Sequence, residues 1–265
     1  MFAGWRWGHV LLIFMGKMSL VDRVKRFVIR KRLRPISVFV FHSVSDEYNP
    51  LLWWDCDWTS TEQFKQNILR LKEECSFISL PEAYERIKND RFRFRKYAVL
   101  TADDGYRSIL DLLPWLEEQK VPITLFVNTM YLDKKSWSAI NEEQAKRVKP
   151  DVDMLREVCP DLYLSLNELF GLKSSLVTVG MHGQEHLDAT KQSGEEFREN
   201  VEKCKNTVST HPSFIPYYAY TWGKHNELTD EILKEMALTP VLVNGMCNFD
   251  NDGFINRICI DGKTM

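Results

Sequence analysis

The chain has 265 residues, 44% of them apolar and 27% charged, a balance that excludes a disordered, collagenous or coiled-coil protein. A formal net charge of −2 excludes a chain that is basic throughout and binds nucleic acid with its whole surface. The average hides a split: the first 34 residues carry nine basic side chains and one acid, net +8, whereas the remaining 231 are net −10.

Residues 10–15 (VLLIFM) form the first apolar run. It is far shorter than the ~20 residues of a membrane span and shorter than the ~7–15 residues of a secretory signal core, and no small-x-small cleavage site follows. Trp5 and Trp7 precede it, and the basic stretch VDRVKRFVIRKRLR follows, with Val21, Val24 and Val28 at helical spacing. This pattern suits a helix lying peripherally on an anionic membrane surface; the alternative is a solvated arm that packs its apolar face on the domain. The six cysteines (Cys56, Cys75, Cys159, Cys204, Cys247, Cys259) include no C-x-x-C pair, which removes support for a zinc ribbon or thioredoxin-type site. They are too sparse for a disulfide scaffold and read as free thiols in a reducing compartment. The expected location is therefore cytoplasmic, with contact to the inner membrane surface through residues 1–34.

Pro35 ends the arm, and one domain is expected over residues 35–265. Residues 36–41 (ISVFVF) read as a buried strand. Residues 61–74 place Phe64, Ile68 and Leu71 on one face of a helix, with Thr61 available as its cap. Residues 77–80 (FISL) read as a short strand, and Pro81 opens a helix through about Ile87. A strand over 97–101, a helix over 107–119 and a strand over 123–127 follow. Residues 132–160 are polar and aperiodic, an excursion over one rim. A helix over 164–172, a strand over 176–179, strands over 214–220 and 240–243, and a helix over 228–237 between those two complete the pattern. Strands alternating with helices imply βαβ units and a parallel α/β sheet.

Polar residues just past the carboxyl ends of parallel strands are where sites assemble. Here His42 follows ISVFVF, Asp103 and Asp104 follow YAVLT, and His182 and His186 follow LVTV through Gly180 and Met181. Adjacent carboxylates at a strand end are costly unless a cation or a shared proton relieves them. Two histidines four apart can direct both imidazoles at one ion. A carboxylate oxygen with two imidazole nitrogens suits Zn²⁺ first, with Co²⁺, Ni²⁺ or Mn²⁺ as alternatives. Gly183 occupies the place of the glutamate in H-E-x-x-H, which disfavours a zincin protease.

These residues sit in segments that resemble the polysaccharide deacetylases, the NodB-homology carbohydrate esterases. Thr101-Ala102-Asp103-Asp104-Gly105 is similar to their T-x-D-D-G motif. His182-Gly183-Gln184-Glu185-His186 is similar to their H-[ST]-x-x-H motif, with glycine at the hydroxyl position. Tyr218–Gly223 resembles F-A-Y-P-Y-G with Thr221 in place of proline, and Phe41-His42-Ser43-Val44 resembles the strand end of the branch that trims poly-N-acetylglucosamine. The likeness spans about residues 36–260. It implies a distorted (β/α) barrel of about seven strands and a metal-dependent hydrolase that removes acetyl groups from N-acetylated sugars of a surface polysaccharide or its precursor. By position, Asp104, His182 and His186 would hold the divalent metal and Asp103 would be the general base. The Trp222 backbone N–H would face the oxyanion, and Tyr220 and Trp222 would contact the sugar. The family's L-x-x-H motif near the C-terminus has no counterpart, so His42 is the candidate general acid, a structural or substrate-positioning histidine being the alternative. Arg257 or Arg107 could replace an arginine usually found in the third motif. Trp53, Trp54, Trp58 and Trp137 are further candidates for sugar stacking, with core packing the alternative for each. An acetyl esterase or small-amide hydrolase on the same barrel, and an inactive carbohydrate-binding protein, are the alternative readings.

Overall fold

The computed structural model of the chain describes residues 34–46, 58–89, 94–133, 162–250 and 253–262. All but the last residue of the basic arm lies outside them, and with it the expected membrane contact. Most of the 132–160 excursion, Trp53, Trp54 and Trp137 also lie outside. No helix among the described residues is long and apolar enough to cross a membrane.

The strands are β1 (Ile36–Phe41), β2 (Ser43–Val44), β3 (Trp58–Thr59), β4 (Ser76–Phe77), β5 (Tyr97–Ala102), β6 (Ile123–Val127), β7 (Val177–Met181), β8 (Phe214–Ala219), β9 (Thr239–Val243) and β10 (Ile255–Cys259). Seven of them close a ring in the order β1-β10-β9-β8-β7-β6-β5, and β5 returns to pair with β1. Every pairing in the ring is parallel. The short β4 joins β5 from outside the ring, and β2 pairs separately with β3. The expected (β/α) barrel is therefore the fold, and its first and last strands are neighbours, with Val38 opposite Arg257 and Val40 opposite Cys259.

Side chains alternate along each strand, and the barrel divides them into two apolar clusters. Ile36, Val38, Val99, Phe126, Ile215, Tyr217, Ala219, Val241 and Ile255 form one, which lies inside the ring. Its amino-terminal end is plugged by Leu80, Ala83 and Ile87 of helix α2 (Leu80–Asn89). The other, larger cluster lies between the strands and the outer helices. There α1 (Thr61–Glu74) contributes Phe64 and Ile68, and Leu71 packs against its edge, so the predicted face is the buried one. The remaining helices are α3 (Ile109–Glu118), α4 (Thr129–Leu132), α5 (Leu166–Gly171), α6 (Gly194–Val208) and α7 (Glu227–Glu235). Fully burying one large apolar side chain contributes about 1.5–3 kcal/mol, so these two clusters dominate the stabilisation. Inside the ring Gly180 is required by its neighbour: a Cβ there would lie 2.5 Å from the ring of Phe126.

Several local expectations differ from the structure. The 77–80 run is a strand only at 76–77, because Leu80 already starts α2 ahead of Pro81. Helix α6 goes unpredicted above, although Phe197, Val201, Cys204 and Val208 recur at helical spacing and are all buried. Strand β10 goes unpredicted because INRIC interrupts its apolar residues with Asn256 and Arg257. The cap of α1 is Ser60, whose hydroxyl accepts from the Gln63 N–H, and Thr61 is already inside the helix. Loss of such a cap costs about 0.5–2 kcal/mol. Ser60→Ala should therefore lower unfolding free energy by about 1 kcal/mol in urea denaturation, and Thr61→Ala should lower it by less; the reverse order would return the cap to Thr61.

Candidate metal and acid–base site

The period-2 alternation that points Val38 and Val40, Val99 and Thr101, and Thr178 and Gly180 along their strands carries on to His42, Asp103 and His182. All three arrive at the carboxyl rim of the barrel. The backbone then turns sharply. Asp104 has φ 68° and Gly105 φ 79°, a left-handed pair that few side chains tolerate. This turn directs Asp104 away from Asp103 and toward the histidines.

Asp104 Oδ1 lies 3.4 Å from His182 Nε2 and 3.5 Å from His186 Nε2, and all three residues are buried. His182 Nδ1 donates to the Ala219 carbonyl at 2.7 Å. That bond fixes the tautomer and leaves Nε2 with its lone pair toward Asp104. Burial pulls the His182 imidazole below its ordinary pKa against the opposing pull of Asp103 and Asp104, which favours the neutral ring a metal requires. One carboxylate oxygen and two imidazole nitrogens converging in a buried rim is a donor set that fits a divalent transition ion.

Asp103 takes a different partner. Both of its oxygens accept from Arg257, at 2.6 Å from Nη1 and 2.7 Å from Nη2. Arg257 is fully buried; its Nη1 also donates to Thr101 Oγ1, its Nε to the Leu242 carbonyl, and its guanidinium lies over the Phe126 ring. Burial alone would raise the Asp103 pKa, but the charge and hydrogen bonds of Arg257, with His182 and His42 nearby, hold it at about 2. Arg107, the other arginine considered above, pairs with Glu168 at the surface and is not part of the rim.

His42 stands beside Asp103 where β1 ends. Its backbone N–H and its Nδ1–H both donate to Asp261, at 3.0 and 2.6 Å. Asp261 is buried and follows β10; no motif in the sequence announces it. The His42 side chain itself is partly exposed, at 18%.

The loops that aim these groups are held by amides that sequence reading passes over. Asn128 Nδ2 donates to the His182 carbonyl, and the first N–H groups of α4 bind the carbonyls of Gly183 and Gln184. Asn200 Oδ1 accepts from the Gln184 N–H at 2.7 Å. Gly183 has φ 95°, and a Cβ there would sit 2.7 Å from that same Asn200 oxygen. The glycine at the usual hydroxyl position is thus matched to the asparagine amide that fills the space beside it.

Trp222 has φ 54° within a 3₁₀ turn, is half exposed, and sets its ring edge-on against His186. Lys224, salt-bridged to buried Asp188, lies over the outer face of the same ring. Tyr220 does not meet the expectation of sugar contact: its side chain is fully buried, packed on Phe197, and its hydroxyl donates to Asp230. It supports the turn from below. Of the other histidines, His211 is a packing residue bonded to the Leu169 carbonyl, and His225 pairs with Asp230.

Arg257 offers a direct test of this electrostatic arrangement. An ionised Asp103 contributes stability that is present above the ordinary aspartate value of 3.8 and is lost as the pH falls toward about 2. In Arg257→Met the carboxylate stays buried without its counter-charge, a loss of about 3–5 kcal/mol at neutral pH. Its pKa then rises, so the deficit against wild type should shrink between about pH 7 and about pH 4.5 in urea unfolding. A deficit that is constant across that range would show that Arg257 does not hold the charge of Asp103.

The profile described as "Polysaccharide deacetylase" matches residues 93–241 of the chain, a segment from just before β5 into β9 that includes Asp103, Asp104, His182, His186 and Trp222. No curated protein sequence matches the chain significantly. Among solved structures, the chain is similar to IcaB from Ammonifex degensii, with TM-score 0.68 and 18% identity over 87% of this chain and 94% of that one. It is similar to the deacetylase PplD from Streptococcus pyogenes in complex with acetate, with TM-score 0.66 and 19% identity over 85% and 92%. A de-N-acetylase from Aggregatibacter actinomycetemcomitans aligns with TM-score 0.62 and 15% identity over 87% and 96%. With the profile matching more than half of its length and the barrel shared with these structures, the chain belongs to the polysaccharide deacetylase family of hydrolases.

Proposed function

We propose that this polysaccharide deacetylase removes the acetyl group of N-acetylated sugars in a surface polysaccharide or its precursor, using a divalent ion, Zn²⁺ first, held by Asp104, His182 and His186. The observation that carries the reading is the convergence of that buried carboxylate and the two imidazoles, with Asp103 and His42 at the ends of the adjoining strands β5 and β1. The similar folds of a de-N-acetylase and of a deacetylase with acetate bound accord with an N-acetyl substrate.

A divalent ion in such a set supplies Lewis-acid chemistry, acidifying water and polarising a carbonyl. The protein's own residues do the rest. Asp103 accepts the proton of the attacking water. Arg257 keeps it ionised and fixes its orientation through the two hydrogen bonds to its oxygens. As the carbon is attacked, negative charge gathers on the acetyl oxygen, and the Trp222 N–H donates to it. The left-handed turn at Trp222 and the Lys224–Asp188 pair hold that residue in position. The carbon–nitrogen bond then breaks, and His42, protonated and oriented by Asp261, gives its proton to the departing nitrogen. Acetate and a free amine result. An amide anion is a very poor leaving group, so this proton is essential for an N-acetyl substrate and far less so for an ester of an acidic phenol.

Two measurements test the reading. Purified protein should carry about one divalent transition ion per chain, and His182→Ala/His186→Ala should lose it; full occupancy in that variant with Cys259→Ala added would remove these residues as ligands. His42→Ala should lose about 10²–10⁴-fold in turnover on N-acetylhexosamine oligomers, retain its metal, and lose much less on an aryl acetate. Equal losses on both substrates would make His42 a positioning residue, and acetate release from O-acetylated polymers alone would favour an esterase.

A further inference from the structure

Hydrolysis as described leaves one group next to the acid unused. Cys259, the last residue of β10, directs its Sγ to Asp261 Oδ2 at 3.3 Å, the oxygen that also receives His42 Nδ1–H. The thiol, the imidazole nitrogen and the carboxylate oxygen all lie within 4.8 Å of one another. The barrel seam fixes this grouping. Val40 is in register with Cys259, the Ile260 N–H donates to the Val40 carbonyl at 2.9 Å, and the His42 N–H donates to Asp261.

We propose that His42, Cys259 and Asp261 form a second metal site, separate from the Asp104–His182–His186 set, that takes a thiophilic divalent ion such as excess Zn²⁺ and thereby inhibits the enzyme. A nitrogen, a sulfur and an oxygen at this spacing are three of the four ligands of a tetrahedral zinc site. Zinc–ligand lengths of ~2.0–2.3 Å are met by a small opening of the present contacts. The donor chemistry separates the two sites. Asp104, His182 and His186 offer oxygen and nitrogen only, whereas Cys259 adds a soft sulfur that favours zinc and its thiophilic relatives over Mn²⁺. Starting from the imidazolium form of His42, binding releases two protons to solvent, one from the Cys259 thiol and one from His42 Nδ1, and Nε2 keeps its hydrogen. The thiolate and the carboxylate neutralise the charge of the ion. Metal binding at this triad stands on its geometry alone; inhibition rests additionally on the reading of His42 as the general acid, because an imidazole held by an ion through Nδ1 is no longer braced by Asp261 as a proton donor.

Cobalt titration of the full-length protein reads the second site directly, because only a thiolate ligand gives a near-ultraviolet sulfur-to-cobalt charge-transfer band. The band should appear in wild type and persist in His182→Ala/His186→Ala, which lacks the first site. It should vanish in Cys259→Ser and in Cys259→Ala, two small substitutions that guard against a folding defect in either. Excess Zn²⁺ should inhibit wild type, and Cys259→Ser should keep its basal activity and lose that inhibition. A wild type with no thiolate band, or a band that survives both Cys259 substitutions, would overturn the site. Zinc inhibition undiminished in Cys259→Ser would overturn its inhibitory role. A protein inactive on every acetylated sugar would still report the band, so failure of the functional reading and failure of this one are distinguishable.

Discussion

The bidentate bond between Arg257 and Asp103 is the constraint on which the rim of this barrel depends. A guanidinium and a carboxylate taken fully out of water are tolerable only as a pair with their remaining hydrogen-bonding groups satisfied. Thr101 and the Leu242 carbonyl complete that satisfaction, and the Phe126 ring lies beside the guanidinium. Phe126 in turn fits because Gly180 has no side chain to obstruct it. The pair also decides which of two adjacent aspartates does what. Both oxygens of Asp103 are held by Arg257, so it keeps its charge, and His182 Nε2 stands farther off at 3.9 Å. Asp104, turned by its left-handed backbone, presents an oxygen to His182 and His186.

A closed ring of strands makes position around the barrel independent of position along the chain. His42 leaves the first strand, and Asp261 follows the last, yet they share one seam because β1 and β10 are hydrogen-bonded neighbours. A histidine at the end of the first strand can therefore share a carboxylate with the segment that follows the last. The same argument covers Arg257, which reaches Asp103 from the end of the domain although the familiar motif would supply an arginine from its third segment.

The sequence is most legible where chemistry and periodicity coincide. ISVFVF, YAVLT and ITLFV announce buried parallel strands by continuous β-branched and aromatic residues, and the polar groups just beyond two of them announce the site. Legibility fails where one residue serves the site at the expense of the pattern. INRIC carries Arg257 inside the barrel and so does not read as a strand. Asp261 shows its role only through a partner 219 residues away. Tyr220 sits among aromatic residues beside the site and resembles a sugar contact, but it packs on Phe197 of α6 in the layer between strands and helices. Asn128 and Asn200 act through backbone groups of another loop, and a single sequence carries no signal for that.

The seam between β1 and β10 also bears on how the protein is made. Until residues 255–259 leave the ribosome, β1 has β5 on one side and nothing in the ring on the other, and β9 is likewise open on one flank. The nascent chain at that stage is a curved open sheet with two bare strand edges, and such edges pair readily with other chains. It also holds an Asp103 whose counter-charge, Arg257, has not yet emerged. Closure by five residues removes both edges, neutralises the buried carboxylate and brings Asp261 to His42 in one event. Premature termination just upstream of Ile255 would thus yield a sticky, unclosed sheet rather than a slightly shorter enzyme.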